Sequence, residues 1–246
     1  MKIGVYVDAA NINRNGGYNM KYDILKAYCA QFGTPIRLNT YLSFDKERME
    51  TDPEYRNRQY VYYSILRNFG FKVITKPVKW YQDDEGMRMG KANVDLDLAV
   101  DMLVQSRNLD KVYLLTGDGD FKRVIQAVQN MGTRVELIAF RNVSKELMFE
   151  ADSFTSGYIV PNLLSMEEQT VEEWGKDGSV VRGVCYALHE GFGFIRIMMQ
   201  NFTLEEVFFH FSELPTGIKP RLDDIMEFEL YNSERGWQAK EIEIIR

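Results

Sequence analysis

The chain is short of several things, and each shortage narrows the reading. It has two cysteines in 246 residues, Cys29 and Cys185, far apart and without neighbouring metal-ligand partners. That excludes a disulfide framework and a cysteine-based zinc site, and it points to the cytoplasm. No apolar run approaches the roughly 20 residues that cross a bilayer, so no membrane partner is expected. The amino terminus, Met1-Lys2-Ile3-Gly4-Val5-Tyr6-Val7-Asp8, is apolar too briefly for a secretory segment and reads as a strand. Positive charge is not in excess either. The net charge is −6, which predicts weak, unsteered binding to any polyanion. Internal repeats and low-complexity tracts are absent.

What is present is ordinary globular composition, 45% hydrophobic and 27% charged. The length accommodates one large domain or two modest ones. Up to about residue 160 strand and helix signals alternate. Strands are expected at Ile3–Val7, Ile36–Phe44, Lys72–Lys76, Val112–Thr116, Val135–Phe140 and Tyr158–Val160. Helices are expected at Tyr22–Phe32, Pro53–Phe69, Val94–Ser106, Phe121–Met131 and Ser144–Ala151, with residues 77–92 as a loop or ragged hairpin. In the helix Val94–Ser106 the apolar stripe reads as Leu96, Ala99, Val100 and Leu103. This alternation implies an α/β fold, a mainly parallel sheet flanked by helices. Residues 163–176 read as a Glu-rich linker, including Glu167, Glu168, Glu172 and Glu173. Residues 177–246 hold five short aromatic and β-branched runs, the pattern of a small five-stranded all-β barrel. This segment carries 12 acids and 7 bases, a net of −5.

Ligands of doubly wound sheets sit beyond the carboxyl ends of the strands. Asp8 ends the first strand, and Asp118 and Asp120 follow Val112–Thr116. Asp95 opens a helix. Asp101, six residues on and roughly 240° around that helix, is placed behind Asp95. Carboxylates gathered at one edge repel one another unless a cation sits among them. Hard oxygen donors suit Mg²⁺ or Mn²⁺, which lowers the pKa of a bound water and steadies a phosphate. Asn11 and Thr116 can hold the attacking water or a carboxylate. Helix capping is the competing account of Asp8, Asp95, Asp118 and Asp120, although acids at the ends of separated elements are less easily explained that way. Asp97 and Asp110 read as solvent-facing. Lys72, Lys76, Lys79, Arg88 and Lys91 are candidate phosphate contacts or a solvated face. Trp80 and Tyr81 either stack bases or anchor the hairpin.

Three blocks carry a resemblance: Val7-Asp8-Ala9-Ala10-Asn11-Ile12, Asn93-Val94-Asp95-Leu96-Asp97-Leu98-Ala99-Val100-Asp101-Met102, and Leu115-Thr116-Gly117-Asp118-Gly119-Asp120-Phe121. In order and spacing they resemble the motifs of NYN domains, of the PIN-like nuclease superfamily, over residues 1–162. The resemblance implies a metal-dependent ribonuclease whose metal-coordinating or water-activating residues are Asp8, Asp95, Asp118 and Asp120. Asn11, Asp101 and Thr116 support them. Asn93 stands where the family usually has Gly, and Asp97 is an extra acid.

In the carboxyl-terminal segment, Gly191-Phe192-Gly193-Phe194-Ile195 puts two aromatics on one strand face. The glycine between them leaves the opposite face bare, as tight barrel closure requires. In Glu206-Val207-Phe208-Phe209-His210-Phe211, Phe208 and His210 share a face and Phe209 reads as core. Phe211, at the strand end, reads either way and is kept with Phe192, Phe194, Phe208 and His210 as a nucleic-acid contact. The two runs resemble the RNP motifs of cold-shock domains, and Gly236-Trp237-Gln238-Ala239 resembles that family's closing segment. The resemblance implies an OB-type barrel that binds single-stranded RNA, or single-stranded DNA, with little sequence preference. Near Val181-Arg182-Gly183 a stacking aromatic of that family is missing, and Glu190 replaces a usual Lys, so weaker binding is expected.

The chain therefore reads as a ribonuclease with a strand-holding barrel. The rival is a non-catalytic RNA-binding adaptor. An aspartyl phosphatase would need an acid at Ala10, and a nucleotide-binding regulator would need a Gly-rich loop where Ala9-Ala10-Asn11 stands. A homodimer is compatible with either reading.

Overall fold

A computed structural model describes all residues except 83–87, 92, 167–169, 171 and 246, and describes 81–82 and 88–91 by backbone alone. The Glu-rich positions Glu167 and Glu168, and the side chains of Tyr81, Arg88 and Lys91, lie outside what it describes. The chain forms two compact units, residues 1–18 with 25–155, and residues 19–24 with 156–246.

In chain order the elements of the amino-terminal half are β1 (Lys2–Asp8), α1 (Ala9–Arg14), α2 (Tyr22–Ala30), β2 (Thr34–Phe44), α3 (Lys46–Thr51), α4 (Pro53–Asn68), β3 (Lys72–Pro77), β4 (Lys79–Gln82) and β5 (Arg88–Lys91). Then come α5 (Val94–Ser106), β6 (Lys111–Leu115), α6 (Lys122–Asn130), β7 (Arg134–Ala139), α7 (Lys145–Glu150) and β8 (Ser153–Ser156). Six strands form one sheet in the order β3-β2-β1-β6-β7-β8. The pairings of β1 with β2 and β6, of β2 with β3, and of β6 with β7 are parallel. Strand β1 lies at the centre, and every residue after Lys2 is buried, as a strand covered on both faces must be. The expected ragged hairpin exists as the antiparallel pair β4–β5.

Two expectations fail. Tyr158–Val160 is not a strand; a 3-10 turn occupies Gly157–Ile159, and the strand pairs earlier, at Ser153–Ser156. Three apolar residues are too short a signal to distinguish a strand from one tight turn. In α5 Ala99 and Leu103 pack against the core as expected, but the buried row is Val94, Leu98 and Met102, while Leu96 and Val100 lie 54% and 50% exposed. The helix carries apolar residues on more than one side, so periodicity permits two faces. Its rotation is fixed by Tyr41, whose hydroxyl donates to Asp101, and by Thr133, whose hydroxyl donates to the Ser106 carbonyl.

The remaining strands, β9 (Ser179–Leu188), β10 (Phe192–Met198), β11 (Leu204–His210), β12 (Ile225–Ser233) and β13 (Gly236–Ile245), close a barrel in the order β10-β11-β13-β12-β9. Its interior is filled by Val181, Cys185, Ile195, Val207, Phe209 and Phe228, among others. Trp174 lies within the stretch expected as a linker, yet it is 2% exposed in this core and its indole donates to the Met198 carbonyl. Cys29 and Cys185 are both buried and unpaired. Among the described residues no helix is long and apolar enough to cross a membrane.

Candidate functional site: an acidic sheet edge and an aromatic barrel face

The parallel order delivers the ends of β1 and β6 side by side, with Val7 opposite Leu115. Asp8 and Thr116 therefore emerge as neighbours, and Thr116 Oγ1 donates to Asp8 Oδ2 at 3.0 Å in a buried contact. The other oxygen, Oδ1, accepts from the Asn11 backbone N–H at 3.0 Å and caps α1. Asn11 Oδ1 accepts from the Gly117 N–H at 2.8 Å, and Thr116 Oγ1 accepts from the Asp118 N–H at 3.2 Å. The first and third sequence blocks are thus tied together by side chains within the blocks themselves.

Asp8 is 4% exposed. Its pKa is pushed from 3.8 up to about 6, by burial first, against the lowering effect of the Asn11 N–H and of Thr116, and with Asp95 and Asp118 adding repulsion. Asp95, in the first turn of α5, is raised by burial, then by Asp118 and Asp120, while Arg14 opposes the shift. Beyond burial, Asp8 feels the charges of Asp95 and Asp118, and Asp95 those of Asp118 and Asp120. Asp8 lies deepest, Asp118 is half-buried, and Asp95 and Asp120 are exposed.

Capping explains only part of this. Asp118 Oδ1 accepts from the Asp120 N–H and caps the 3-10 turn Gly119–Phe121. The N-cap of α5 is Asn93, not Asp95. Asp95 and Asp120 accept no side-chain or cap hydrogen bond from a described residue. Asp101 stands apart from the group. It is held by the Tyr41 hydroxyl at 2.9 Å, and its charge is not among those raising Asp8 or Asp95. Asp97 is not a free solvent-facing acid, because it pairs with Lys76 at 2.8 Å. That pairing also commits Lys76, whose ammonium donates to the Asn93 carbonyl as well. Asp110 accepts from the Lys2 N–H at the exposed surface. Lys72 begins β3, level with Tyr6, which lies two residues before Asp8 on β1 and two strands away from Lys72. Trp80 is 44% exposed and Lys79 is exposed.

Among the described residues no set of three or more His, Cys, Asp or Glu side chains is grouped tightly enough to hold a metal ion as it stands. The donor chemistry nonetheless fits a hard divalent cation, since every member offers carboxylate oxygen. A cation would offset both the burial that chiefly lifts Asp8 and Asp95 and the repulsion that adds to it.

On the barrel, β10 and β11 run antiparallel with Phe194 opposite Phe208 and Phe192 opposite His210. The rings of Phe192, Phe194 and Phe208 lie 5.7–6.0 Å apart by centroid, each half-buried on the outer face. On the inner face a Cβ at Gly193 would sit 2.6 Å from a Phe209 ring carbon. The glycine is therefore the seat of the buried Phe209 ring. His210 is exposed and its Nδ1 accepts from the Ser212 N–H, capping the turn Phe211–Glu213. Phe211 does not join the outer aromatics; it packs on the core beside Phe209, centroids 5.8 Å apart. A residue beginning a tight turn leaves strand alternation, so its side chain need not follow the strand's faces.

Two members of the face went unread in the sequence. His189 stacks on Phe192 at 4.8 Å with rings 21° from parallel. Tyr186 lies beside Phe194, and the Arg196 guanidinium sits 4.3 Å from its ring centroid. Tyr186 alternates correctly on β9 and was legible by strand period. His189 follows the end of β9, where no period applies. Arg182, at the site of the missing aromatic, pairs with Glu227 at 2.7 Å.

The family model for the NYN domain matches residues 2–164. The low amplitude and bright protein LabA of Synechococcus elongatus is 29% identical over 92 residues, which are 36% of this chain and 50% of that protein. The match thus spans half the length of this relative. A crystal structure of a protein of unknown function from Vibrio parahaemolyticus is 25% identical with a TM-score of 0.51, covering 63% of this chain and 91% of that one. A cold-shock segment of Drosophila Unr is 29% identical over 28% of each chain, with a TM-score of 0.24. With the family match extending over residues 2–164 and the sheet bringing its strand-end acids together, the chain belongs to the NYN domain family of the PIN-like nuclease superfamily.

Proposed function

We propose that the protein is a divalent-metal-dependent ribonuclease whose barrel holds single-stranded RNA. The observation that carries this reading is geometric: the paired ends of β1 and β6 set buried Asp8, held by Thr116, beside the loop that bears Asp118 and Asp120, and burial first, then Asp95 and Asp118, raise its pKa to about 6. Such a group is costly to keep charged without a cation nearby. Asp8, Asp95, Asp118 and Asp120 are the residues to hold Mg²⁺ or Mn²⁺. When bound, the ion would supply an acidified water and charge stabilisation for the phosphate. The chain's own part is placement. Thr116 holds Asp8 by its Oδ2, and Asn11 holds the Gly117 backbone, so the loop bearing Asp118 and Asp120 is set against the end of β1. Asp101 acts at a distance, steadying α5 through Tyr41.

For the barrel, three clustered rings left on an outer face support base stacking, worth about 1–3 kcal/mol per base. The acidic balance of residues 177–246 favours weak binding with a shallow salt dependence. A specific observation favours the adaptor as a second reading: no described acidic set is tight enough for a metal as it stands.

Labelled single-stranded and structured RNAs incubated with Mn²⁺, Mg²⁺ or EDTA separate the two readings. Cleavage that requires a divalent ion and falls by about 10²–10³-fold in Asp118→Asn supports the enzyme. Binding without cleavage under every condition leaves the adaptor.

A further inference from the structure

Beside β1, β2 and β3, at the level of Gly4 to Tyr6 and so before the acidic edge, lies a cavity of about 420 Å³, lined by Ile36, Arg37, Asn39, Lys72 and Gln105 among others. It continues into a smaller hollow of about 230 Å³ that shares Ile36, Arg37 and Gln105 and adds Val104, Asn108 and Leu109. Its place follows from strand register. Arg37 pairs with Gly4, and Asn39 pairs with both Tyr6 and Lys72. Gly4 lies four residues before Asp8, about 13 Å along the strand. The floor depends on that glycine: a Cβ there would lie 2.5 Å from Leu109 Cδ1 and 2.8 Å from Tyr6 Cε2.

The polar lining is preset. Tyr41 gives its hydroxyl hydrogen to Asp101, so it accepts from Asn39 Nδ2, at 3.2 Å. Asn39 Nδ2 also donates to Gln105 Oε1 at 3.2 Å, and the Tyr6 hydroxyl donates to the same oxygen at 3.1 Å. Two donors on Oε1 fix the amide orientation, leaving Gln105 Nε2 without an acceptor among the described residues. Arg37 donates to the Ile36 carbonyl, and among the described residues neither Arg37 nor Lys72 has a carboxylate partner. The hollow therefore combines two unpaired cations, a fixed amide donor and an apolar wall of Ile36, Val104 and Leu109.

We infer that this hollow is a second ligand site, which takes a nucleoside 5′-monophosphate. The phosphate meets Arg37 and Lys72, the donors suited to it, and the base lies against Ile36 and Val104 within reach of Gln105 Nε2. The volume is in the range of small-molecule sites. The site is independent of the nuclease reading, because none of its residues belongs to the acidic edge.

Calorimetric titration of the full chain with adenosine 5′-monophosphate, inorganic phosphate and adenosine tests it. EDTA keeps the acids from recruiting phosphate through a metal. The nucleotide is expected to bind, about tenfold or more tighter than phosphate. Arg37→Ala and Lys72→Ala, both exposed and so tolerable to the fold, each weaken it about tenfold. Val104→Glu weakens it too, and Asp118→Asn leaves it unchanged. Absence of saturable binding overturns the inference, as does phosphate binding equally well, or loss on Asp118→Asn with Arg37→Ala unaffected.

Discussion

The acidic edge and the aromatic face depart from ordinary protein surfaces in opposite directions. At the edge a carboxylate, Asp8, is taken out of water to 4% exposure. On the barrel Phe192, Phe194 and Phe208 are left half in water. Most charged groups stay out and most large aromatics go in. Each region breaks one half of that rule, and each break is held by its surroundings. Thr116 and Asn11 hold the edge, and the buried Phe209 under Gly193 holds the face. Departures of this kind are where a fold gives up stability for a site.

The comparison can be broken most sharply at two adjacent phenylalanines. Phe209→Ala removes a fully buried ring and should cost about 3–5 kcal/mol of barrel stability. Phe208→Ala should leave thermal stability nearly unchanged while weakening single-stranded RNA by about 1–3 kcal/mol. Thermal melts and fluorescence binding read the two effects, and equal destabilisation by both would make the outer rings core. Within α5 the same logic predicts about 2–5 kcal/mol for Leu98→Ala and within about 0.5 kcal/mol for Val100→Ala, checked by urea unfolding. A large loss at Val100 would mean its face is covered in solution.

The acidic edge makes a smaller, pH-dependent prediction. The folded pKa of Asp8, about 6, lies above the ordinary 3.8. The folded state therefore holds the extra proton. Stability from this group is present below about pH 4, is lost as pH rises towards 6, and stays lost above. Asp8→Asn, which keeps an oxygen for the Asn11 N–H, should raise metal-free stability by about 1–2 kcal/mol at pH 7 and change little near pH 4. Unfolding in EDTA at both pH values tests this, and destabilisation at pH 7 would show that the charged form is already accommodated.

Much of this was legible in the residues, for reasons that differ by element. Strand-end acids were readable because a parallel sheet aligns its carboxyl ends, and three separated blocks converged on one edge. The Gly-flanked phenylalanines were readable because strand period assigns faces. The face of α5 was not, since apolar residues on more than one side of the helix offer two rows and long-range bonds from Tyr41 and Thr133 choose between them. The commitment of Lys76 to Asp97, the burial of Trp174 and the stacking of His189 are tertiary contacts without a local signature. The hollow at Arg37 and Lys72 arises from register between strands that sequence alone does not set.

The central claim is that four separated carboxylates act as one cation site. Manganese titration of the whole chain, followed by electron paramagnetic resonance, measures it without reference to any substrate. The account predicts saturable binding weakened about tenfold or more by Asp8→Asn and by Asp118→Asn, and unaltered by Arg37→Ala. Manganese that fails to saturate, or that binds both acid variants as tightly as the parent chain, would contradict it.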